Sequence, residues 1–243
     1  MAIVPDFTSR VALVTGGSRG IGRAVALGLA EAGADVAVNY REQTNEAEAV
    51  VAAIRAMGRR AIAVKADMAS PSAITDMFAR VSTELGAPLV LVNNAATAPR
   101  RGLDELTEAD FDETIRVNLK GLFLCTQAAL PAMRREQWGR IVNITSGAAR
   151  GAGSIGLHYN ASKAGLEGLT RGYAARLVKE GITVNAVAPS LIATHIMPPE
   201  NAARVPMGRL GTAEEVAQAV LMVIGNAYMT GQTVALSGGL AFI

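Results

Sequence analysis

Short apolar runs rich in Val, Ile and Ala alternate along the chain with longer segments in which apolar residues recur every three or four positions. The short runs predict buried strands, because they are bounded by turn-forming residues and are too brief for helices; they cover residues 10–17, 35–40, 61–67, 88–95, 139–146, 181–189 and 232–239. The amphipathic segments predict helices near residues 20–34, 45–58, 71–85, 108–136, 159–180 and 212–224, with Gly33 and Gly58 as stops.

Strands that alternate with helices in this way imply crossover connections and a parallel sheet that is covered on both faces. We therefore expect an α/β fold: a single doubly wound parallel sheet of about seven strands, with helices on both faces, formed as one domain by residues 1–243. Residues 189–211 are rich in proline and lack periodicity, so they are expected to form a long functional loop or lid over a substrate site.

Composition and charge narrow the class of protein. Half of the 243 residues are hydrophobic and the formal net charge is only +2, so we expect a globular protein that does not bind nucleic acid. Cys125 is the single cysteine and lies among apolar residues, which favours a buried thiol. The only histidines are His158 and His195, so no metal site is expected. No secretion signal or membrane-spanning run is visible, which predicts a cytoplasmic protein without membrane contacts.

The sequence TGGSRGIG, residues 15–22, stands where the first predicted strand ends and a helix opens. Ligands of open parallel sheets bind beyond the carboxyl ends of the strands. Gly16, Gly20 and Gly22 would let the backbone turn and approach a pyrophosphate, while the helix offers free N–H groups and its positive dipole end. A glycine trio alone fits an ordinary tight turn. Within a strand, turn and helix that open an alternating chain, it favours dinucleotide binding of the Rossmann type.

The end of the second predicted strand bears on the choice of cofactor. A site for NAD normally has an acidic residue there to accept a hydrogen bond from the ribose 2′-hydroxyl. This chain has Asn39, Tyr40 and Arg41 instead, and Asp35 lies at the opposite end of the strand. Arg41, together with Arg19 in the glycine loop, can pair with a 2′-phosphate, so the sequence predicts NADP(H); a solvated Arg41 is the alternative.

Tyr159 precedes Lys163 by four residues, so the two side chains share one face of the predicted helix. A carbonyl that accepts a hydride needs a proton for its oxygen, and a phenol can supply one. An ammonium about 5 Å away contributes roughly 3 kcal/mol at an effective dielectric of about 20, which would lower the phenol pKa by about two units, whereas burial would oppose that shift. By itself, such a pair is more often an exposed helix pair. Ser146, at the end of the fifth strand, can hydrogen-bond the carbonyl oxygen.

Five short motifs occur in an order typical of one superfamily: TGGSRGIG, NNAA at 93–96, VNLKG at 117–121, NITS at 143–146 and YNASK at 159–163, followed by APSLIAT at 188–194. By these motifs, which span nearly the whole chain, the sequence resembles the short-chain dehydrogenase/reductase superfamily and, within it, the 3-oxoacyl-[acyl-carrier-protein] reductases. The resemblance implies that Ser146, Tyr159 and Lys163 are catalytic and that Asn118 supports a proton relay. It implies a cofactor site that includes Tyr159, Lys163 and the residues Gly16, Ser18, Arg19, Gly20, Ile21, Gly22, Tyr40, Arg41, Asp67, Met68, Asn94, Ala95, Thr145, Pro189, Ile192 and Thr194.

Departures from the family pattern limit what the resemblance implies about the substrate. Ala96 and Ser190 stand where glycine is common, and residues 189–211 are a shorter lid than usual. An acidic acyl carrier protein would need a basic surface near the entrance; Arg134, Arg135 and Lys179 are candidates for it. An NADPH-dependent reductase of 3-oxoacyl thioesters, as in fatty-acid biosynthesis, is the favoured interpretation. The alternatives are the same chemistry on a sugar, polyol, steroid or small ketone, and a non-catalytic dinucleotide sensor.

The same resemblance, together with surplus apolar and small residues, predicts self-association. The helices expected at 108–136 and 159–180 carry more such residues than one face against the sheet requires, and the chain ends on the apolar residues Leu240, Phe242 and Ile243. Burial of these surfaces between copies would suit a two-fold symmetric oligomer, and the resemblance implies a homotetramer; a monomer that folds the tail onto its own sheet is the alternative. His195, in the predicted lid, is a further candidate for substrate contact.

Overall fold

One parallel sheet runs through the centre of the molecule. The computed structural model describes residues 6–194 and 197–241. Their strands are β1 (Val11–Val14), β2 (Asp35–Tyr40), β3 (Ala61–Lys65), β4 (Val90–Asn93), β5 (Gly139–Ile144), β6 (Ile182–Pro189) and β7 (Thr233–Leu236). The strand order is β3-β2-β1-β4-β5-β6-β7, and every neighbouring pair is parallel. The predicted doubly wound α/β sheet is confirmed.

The helices cover both faces of this sheet. On one face lie α1 (Gly20–Glu31), α2 (Thr44–Ala56) and α7 (Ala213–Gly225); on the other lie α3 (Pro71–Glu84), α4 (Glu108–Ile115), α5 (Leu122–Arg135) and α6 (Leu157–Leu177). Strand side chains pack against both layers, which is why the strands are apolar throughout. Cys125 lies on the buried side of α5, as expected, and burial raises the pKa of its thiol to about 12. Across the described residues, every helix is too short or too polar to cross a bilayer.

Local sequence sets where several helices begin and end. Ser70 caps α3 by accepting a hydrogen bond from the Ala73 N–H at 3.3 Å. Gly33 and Gly58, the predicted stops, follow α1 and α2 with φ values of 96° and 79°. This left-handed conformation favours glycine, because a Cβ would crowd the backbone. The predicted stops are therefore confirmed.

The helical stretch predicted near residues 108–136 is confirmed, since residues 108–135 are helical without a break, but its middle turn was not predicted to differ from an α-helix. Residues Arg116–Gly121 form a π-helical segment between α4 and α5. Long-range contacts accompany it: Asn118 is hydrogen-bonded to the backbone of Thr97, and a Cβ on Gly121 would overlap the carbonyl oxygen of Met68. π-helical bulges are frequent at functional sites, and this one lies beside α6, the helix that contains Tyr159 and Lys163.

The first three strands extend the sheet to one side of β1, and β4 to β7 extend it to the other side, because β4 pairs with the edge of β1 away from β2. A crevice opens at such a switch point beyond the carboxyl ends of the strands. The segment predicted as a lid, 189–211, returns towards this crevice. Its base is closed where Ile192 pairs with Gly211, and Pro199–Arg204 form a short 3-10 helix. Motion of this segment as a lid stays a prediction.

Candidate active site

A cleft of about 450 Å³ lies at the carboxyl ends of the central strands, at the switch point. Its wall contains all but one of the residues predicted for the site. The predicted residues that line it are Gly16, Ser18, Arg19, Gly20, Ile21, Gly22, Tyr40, Arg41, Asp67, Met68, Asn94, Ala95, Thr145, Ser146, Tyr159, Lys163, Pro189, Ile192 and Thr194. The exception is Asn118. Motifs that are up to 178 positions apart in sequence, from Gly16 to Thr194, therefore converge on one surface.

The glycine loop between β1 and α1 is held close to its neighbours by side-chain amides. Asn94 donates to the carbonyl oxygens of Thr15 and Gly16 at 2.9 and 3.0 Å, and Asn39 accepts from the Gly16 N–H at 3.1 Å. A Cβ on Gly22 would overlap the Gly16 carbonyl and lie 2.6 Å from the Asn94 amide nitrogen. Asn39 and Asn94 thus have structural roles that sequence reasoning did not assign to them.

The first turn of α1 is open to an anion. Residue Arg19 precedes it with extended backbone and makes no side-chain cap, so the first N–H groups of the helix face the cleft without a protein partner among the described residues. A helix start of this kind, reached by glycines that leave no room for a Cβ, fits the pyrophosphate of a dinucleotide. The residues present therefore fit the cofactor that the sequence predicts.

At the end of β2, the structure adds a carboxylate that the sequence interpretation overlooked. Asp35 lies at the far end, as expected, where it pairs with Arg59 and Arg60 at 3.4 Å. Glu42 lines the cleft beside Arg41, and the two exposed side chains form an ion pair of 2.9 Å. The Arg41 guanidinium is thus shared with a neighbouring acid. Asp67 follows β3 and accepts a hydrogen bond from the Ala69 N–H at 2.8 Å.

Tyr159 and Lys163 meet on the first turns of α6, at the floor of the cleft. The Lys163 Nζ lies 5.6 Å from the centre of the Tyr159 ring, close to the separation expected from the sequence. Lys163 is 2% exposed, and its Nζ donates a hydrogen bond of 2.8 Å to the carbonyl oxygen of Ile144, the last residue of β5. The ammonium is therefore fixed between helix and sheet.

Burial dominates the proton affinities of this pair. It lowers the pKa of Lys163 to about 8, because the charged form is disfavoured away from water. Burial also raises the pKa of Tyr159, and hydrogen bonding by Ser146 opposes that rise. The opposing effect of burial that the sequence analysis anticipated is the larger one, so Tyr159 keeps its proton at neutral pH.

Ser146 follows β5 and lies on the same wall as Tyr159. Its Oγ accepts a hydrogen bond of 3.1 Å from the Ala148 N–H, which fixes the side chain and leaves the hydroxyl hydrogen for Tyr159 or, in its place, a substrate oxygen. A carbonyl oxygen placed between Ser146 and Tyr159 would meet two O–H donors. That arrangement stabilises negative charge on the oxygen and provides a proton for it.

Asn118 is buried in the π-helical segment and does not line the cleft. Its Oδ1 accepts from the Thr97 N–H at 2.8 Å, while its Nδ2 donates to the Thr97 carbonyl at 2.9 Å and to the Ser162 Oγ at 3.2 Å. The side chain thus ties the loop after β4 to helix α6 between Tyr159 and Lys163. Its part in a proton relay stays a prediction.

Other residues at the cleft were missed. Among them are Thr97, Ala98, Val117, Ile155, Ser190 and Met197. Val117 and Ser190 belong to the motifs VNLKG and APSLIAT but were not assigned to the site, whereas the other four lie outside every motif and reach the cleft only through the fold. His158 is buried, as its helical position implied: its Nε2 lies 3.0 Å from the Pro99 carbonyl oxygen and it does not line the cleft. His195 lies outside the described residues.

The basic surface expected for an acyl carrier protein does not lie at this cleft in the single chain. Arg134 and Arg135 end α5, and Lys179 precedes β6, so all three are at the amino ends of the strands. Arg134 also pairs with Glu180 at 2.6 Å. The expectation is wrong because sequence position alone did not show at which end of the sheet these residues lie.

A nicotinamide-dinucleotide site beside a Ser, Tyr and Lys set defines an oxidoreductase, and comparison with known proteins identifies its family. The sequence profile of the short chain dehydrogenase family matches residues 10–204. The chain belongs to this family.

Relatives and solved structures agree with this assignment. The chain is similar to the 3-oxoacyl-[acyl-carrier-protein] reductase FabG of Staphylococcus epidermidis, at 40% identity over 96% of this chain and 99% of the relative. It is 41% identical to the 3-oxoacyl-[acyl-carrier-protein] reductase of Synechocystis, over 96% and 97% of the two chains. A short chain dehydrogenase from Burkholderia cenocepacia in complex with NADP superposes with a TM-score of 0.90 at 39% identity, over 96% and 98% of the chains.

Proposed function

We propose that this protein reduces 3-oxoacyl thioesters, carried by acyl carrier protein or coenzyme A, to 3-hydroxyacyl thioesters with NADPH. The observation that carries the proposal is the arrangement of Ser146, Tyr159 and Lys163 at the open end of a dinucleotide cleft. The similarity to two 3-oxoacyl-[acyl-carrier-protein] reductases over nearly the whole chain supports the substrate class.

The chain's own residues perform the acid chemistry of this reduction. The dinucleotide, when bound, supplies the hydride that the carbonyl carbon accepts. Ser146 donates a hydrogen bond to the carbonyl oxygen as negative charge develops there. Tyr159 transfers its phenolic proton to that oxygen, which completes the alcohol. Lys163, fixed by the Ile144 carbonyl, places a positive charge 5.6 Å from the Tyr159 ring and so stabilises the phenolate that remains.

Two arginines support NADPH over NADH. Arg19 and Arg41 both line the part of the cleft that follows β1 and β2, where a 2′-phosphate would lie. The NADP complex of the similar Burkholderia cenocepacia enzyme, and that of a blue fluorescent protein from a metagenomic library with NADPH, at 38% identity and a TM-score of 0.91, point in the same direction. The Arg41–Glu42 pair weakens this preference, because Glu42 places a negative charge beside the phosphate position.

A panel of carbonyl compounds, followed by loss of NADPH absorbance at 340 nm, tests the proposal. We expect the highest kcat/KM for short 3-oxoacyl thioesters, with sugars and cyclic ketones at least tenfold poorer. Parallel assays with NADH give the cofactor preference. Turnover of sugars or cyclic ketones with no activity on the thioesters would refute the substrate assignment and leave the reaction type intact.

One comparison favours a second substrate class. A putative gluconate dehydrogenase from Agrobacterium tumefaciens superposes with a TM-score of 0.91 at 34% identity, over 98% of each chain. The same catalytic residues would then act on a sugar acid or another small hydroxylated compound. A non-catalytic dinucleotide sensor would not need Ser146, Tyr159 and Lys163 together, so the complete set argues against it.

A further inference from the structure

Ser190 is the first residue after β6 and lines the cleft together with Ser146 and Tyr159. Its backbone N–H donates a hydrogen bond of 2.9 Å to the carbonyl oxygen of Leu236 in β7, which fixes its position at the edge of the sheet. The side chain is only partly exposed. Ser190 is thus held rigidly on the wall that contains the reacting groups, although it has no role in the acid chemistry described above.

The Ser190 hydroxyl lies against Gly147, the residue that follows Ser146. A Cβ on Gly147 would overlap the Ser190 Oγ and would lie 3.4 Å from its Cβ and 3.7 Å from its Cα. Only the hydroxyl would therefore be displaced by a methyl group at position 147. Glycine at this position leaves the space that the hydroxyl occupies.

No described residue forms a hydrogen bond with the Ser190 Oγ, so the hydroxyl is available to a ligand within the cleft. The neighbouring wall includes the apolar side chains of Ile155, Ile192 and Met197. When a ligand displaces water from this wall, a hydroxyl left without a hydrogen-bond partner costs binding free energy. A ligand with an oxygen or nitrogen that pairs with the hydroxyl avoids this cost and binds more tightly.

The register of β5 and β6 brings Ser190 to the strand end next to Ser146, one position further along the chain. Ile144 lies opposite Val187, so Ser146 falls level with Pro189, one residue before Ser190. Adjacent strands are about 4.8 Å apart. Both serines line the cleft from these neighbouring strand ends, so a substrate with two oxygen atoms a few bonds apart, such as a 1,3-dicarbonyl compound, can reach both residues.

We propose that Ser190 determines substrate specificity by donating a hydrogen bond to the acyl carbonyl oxygen of a 3-oxoacyl thioester while Ser146 and Tyr159 bind the 3-oxo group. This inference rests on the proposed function, because it assigns a residue to the second carbonyl of that substrate class. It distinguishes 3-oxoacyl thioesters from simple ketones, which offer nothing to Ser190.

Two compounds that differ in a single oxygen test the proposal. Acetoacetyl-coenzyme A carries both carbonyls, whereas S-(3-oxobutyl)-coenzyme A, a thioether, has the same reacting ketone and a CH₂ in place of the acyl carbonyl. The readout is the ratio of kcat/KM for the thioester to that for the thioether, measured with NADPH. For Ser190→Ala we expect this ratio to fall about tenfold, the effect of one lost hydrogen bond, mainly through a higher KM for the thioester.

The control variant is Ser82→Ala, which changes an exposed serine on α3 and should leave the ratio at the native value. An unchanged ratio in Ser190→Ala, or an equal loss on both compounds, would overturn the inference while the proposed function stands. A native enzyme that reduces neither compound would overturn both. The ratio cancels any general loss of folded enzyme, so a destabilised variant still gives an answer.

Gly147→Ala provides an independent test of the geometry. Its methyl group must push the Ser190 hydroxyl aside, so the ratio should fall as far as in Ser190→Ala. In a Ser190→Gly background the nearest remaining atom would be the Cα of residue 190, at 3.7 Å. Adding Gly147→Ala to that background should therefore not lower the ratio further. A second, additive fall of about tenfold would show that the two positions act separately and would contradict the assignment.

Discussion

Lys163 illustrates how a single buried charge acts on both catalysis and stability. Its ammonium has one hydrogen bond, to the Ile144 carbonyl, and burial lowers its pKa to about 8 from an ordinary value near 10.4. Between these two values the unfolded chain binds more protons than the folded one, so stability rises with pH. Below pH 8 the buried charge costs about 3 kcal/mol.

Lys163→Met removes this titration and should change how stability depends on pH. The variant loses the hydrogen bond to Ile144 at every pH, but it no longer carries the charge penalty at neutral pH. We therefore expect the free energy of unfolding of the variant, minus that of the native protein, to decrease by about 3 kcal/mol from pH 7 to pH 10.5. Urea unfolding at several pH values measures it. Parallel stability curves would contradict the buried, charged Lys163.

Tyr159 should be indispensable for turnover and dispensable for cofactor binding. Tyr159→Phe removes the proton donor and keeps the ring, so we expect kcat to fall by about 10²- to 10⁴-fold while the NADPH Kd changes little. NADPH oxidation at 340 nm and fluorescence titration measure the two quantities. Tyr173→Phe is the matched control, because it changes a tyrosine on the same helix whose hydroxyl accepts a hydrogen bond from Gln127. Near-native turnover in Tyr159→Phe would disprove the proposed mechanism.

The Arg41–Glu42 ion pair should tune the choice between NADPH and NADH. Arg41→Asp removes a charge-assisted contact with the 2′-phosphate, so NADPH affinity should fall about tenfold to a hundredfold and preference should move towards NADH.

Glu42→Gln releases Arg41 from its partner and removes a repulsive charge, so NADPH should bind about two- to fivefold more tightly. Titrations with both cofactors measure these changes, with the exposed α2 variant Glu48→Gln as control. Tighter NADPH binding in Arg41→Asp would reverse the assignment.

Secondary-structure elements were predicted well where the local pattern determines them. Each predicted strand agrees with the structure to within a few residues, because short apolar runs rich in β-branched residues suit strands that are buried on both faces of a sheet. The π-helical segment at 116–121 could not be predicted, because the contacts that accompany it come from residues far away in the sequence. Asn118 donates a hydrogen bond to the Thr97 carbonyl, and the Met68 carbonyl lies against Gly121. For the same reason the motifs located most of the site but not Glu42, Ile155 or Met197, which reach the cleft only through the tertiary fold.

A single methyl group added at Gly22 should weaken dinucleotide binding by the glycine loop and α1. The Cβ of Gly22→Ala would overlap the Gly16 carbonyl and crowd the Asn94 amide, so the loop must shift away from the N-terminus of α1. We expect the dinucleotide Kd to rise at least tenfold, by fluorescence titration. Gly102→Ala is the control, because the nearest atom to its Cβ would be the Glu105 Oε2 at 3.4 Å. Native affinity in Gly22→Ala would show that the tight packing at this position does not shape the phosphate site.

At the scale of the whole molecule, the sheet order explains why distant motifs form one site. The loops after β1, β2, β4, β5 and β6 all lie at the carboxyl edge of the sheet. The loops after β1 and β4 run to opposite faces of the sheet, which leaves a crevice between them for a ligand. The alternation of strands and helices was sufficient to predict this edge as the site. It was not sufficient to place Arg134, Arg135 and Lys179, because loops and helix ends alternate between the two edges of the sheet.

The outer face of α5 and α6 should join copies of this chain. Phe123 and Tyr173 stack across the two helices with ring centres 6.4 Å apart, yet Phe123 remains 38% exposed. On α6 the exposed residue Gly168 has no atom within 4 Å of a Cβ position, so another helix can approach closely. Leu240, in the apolar C-terminal segment, is also 38% exposed, whereas Phe242 and Ile243 lie outside the described residues. Burial of these surfaces would favour a two-fold symmetric tetramer.

Light scattering at micromolar concentration tests this assembly. We expect the native chain to give the mass of a tetramer of 25.2 kDa protomers and Gly168→Arg to give a smaller species, because the long charged side chain would separate the α6 helices. Glu48→Arg places the same side chain on the exposed face of α2 and should leave the mass unchanged. Deletion of residues 240–243 should weaken the tetramer before it affects dinucleotide binding, since Leu240 and Ala241, the described residues of this segment, do not line the cleft. A monomeric native protein, or a Gly168→Arg variant that stays tetrameric, would show that this face is not the interface.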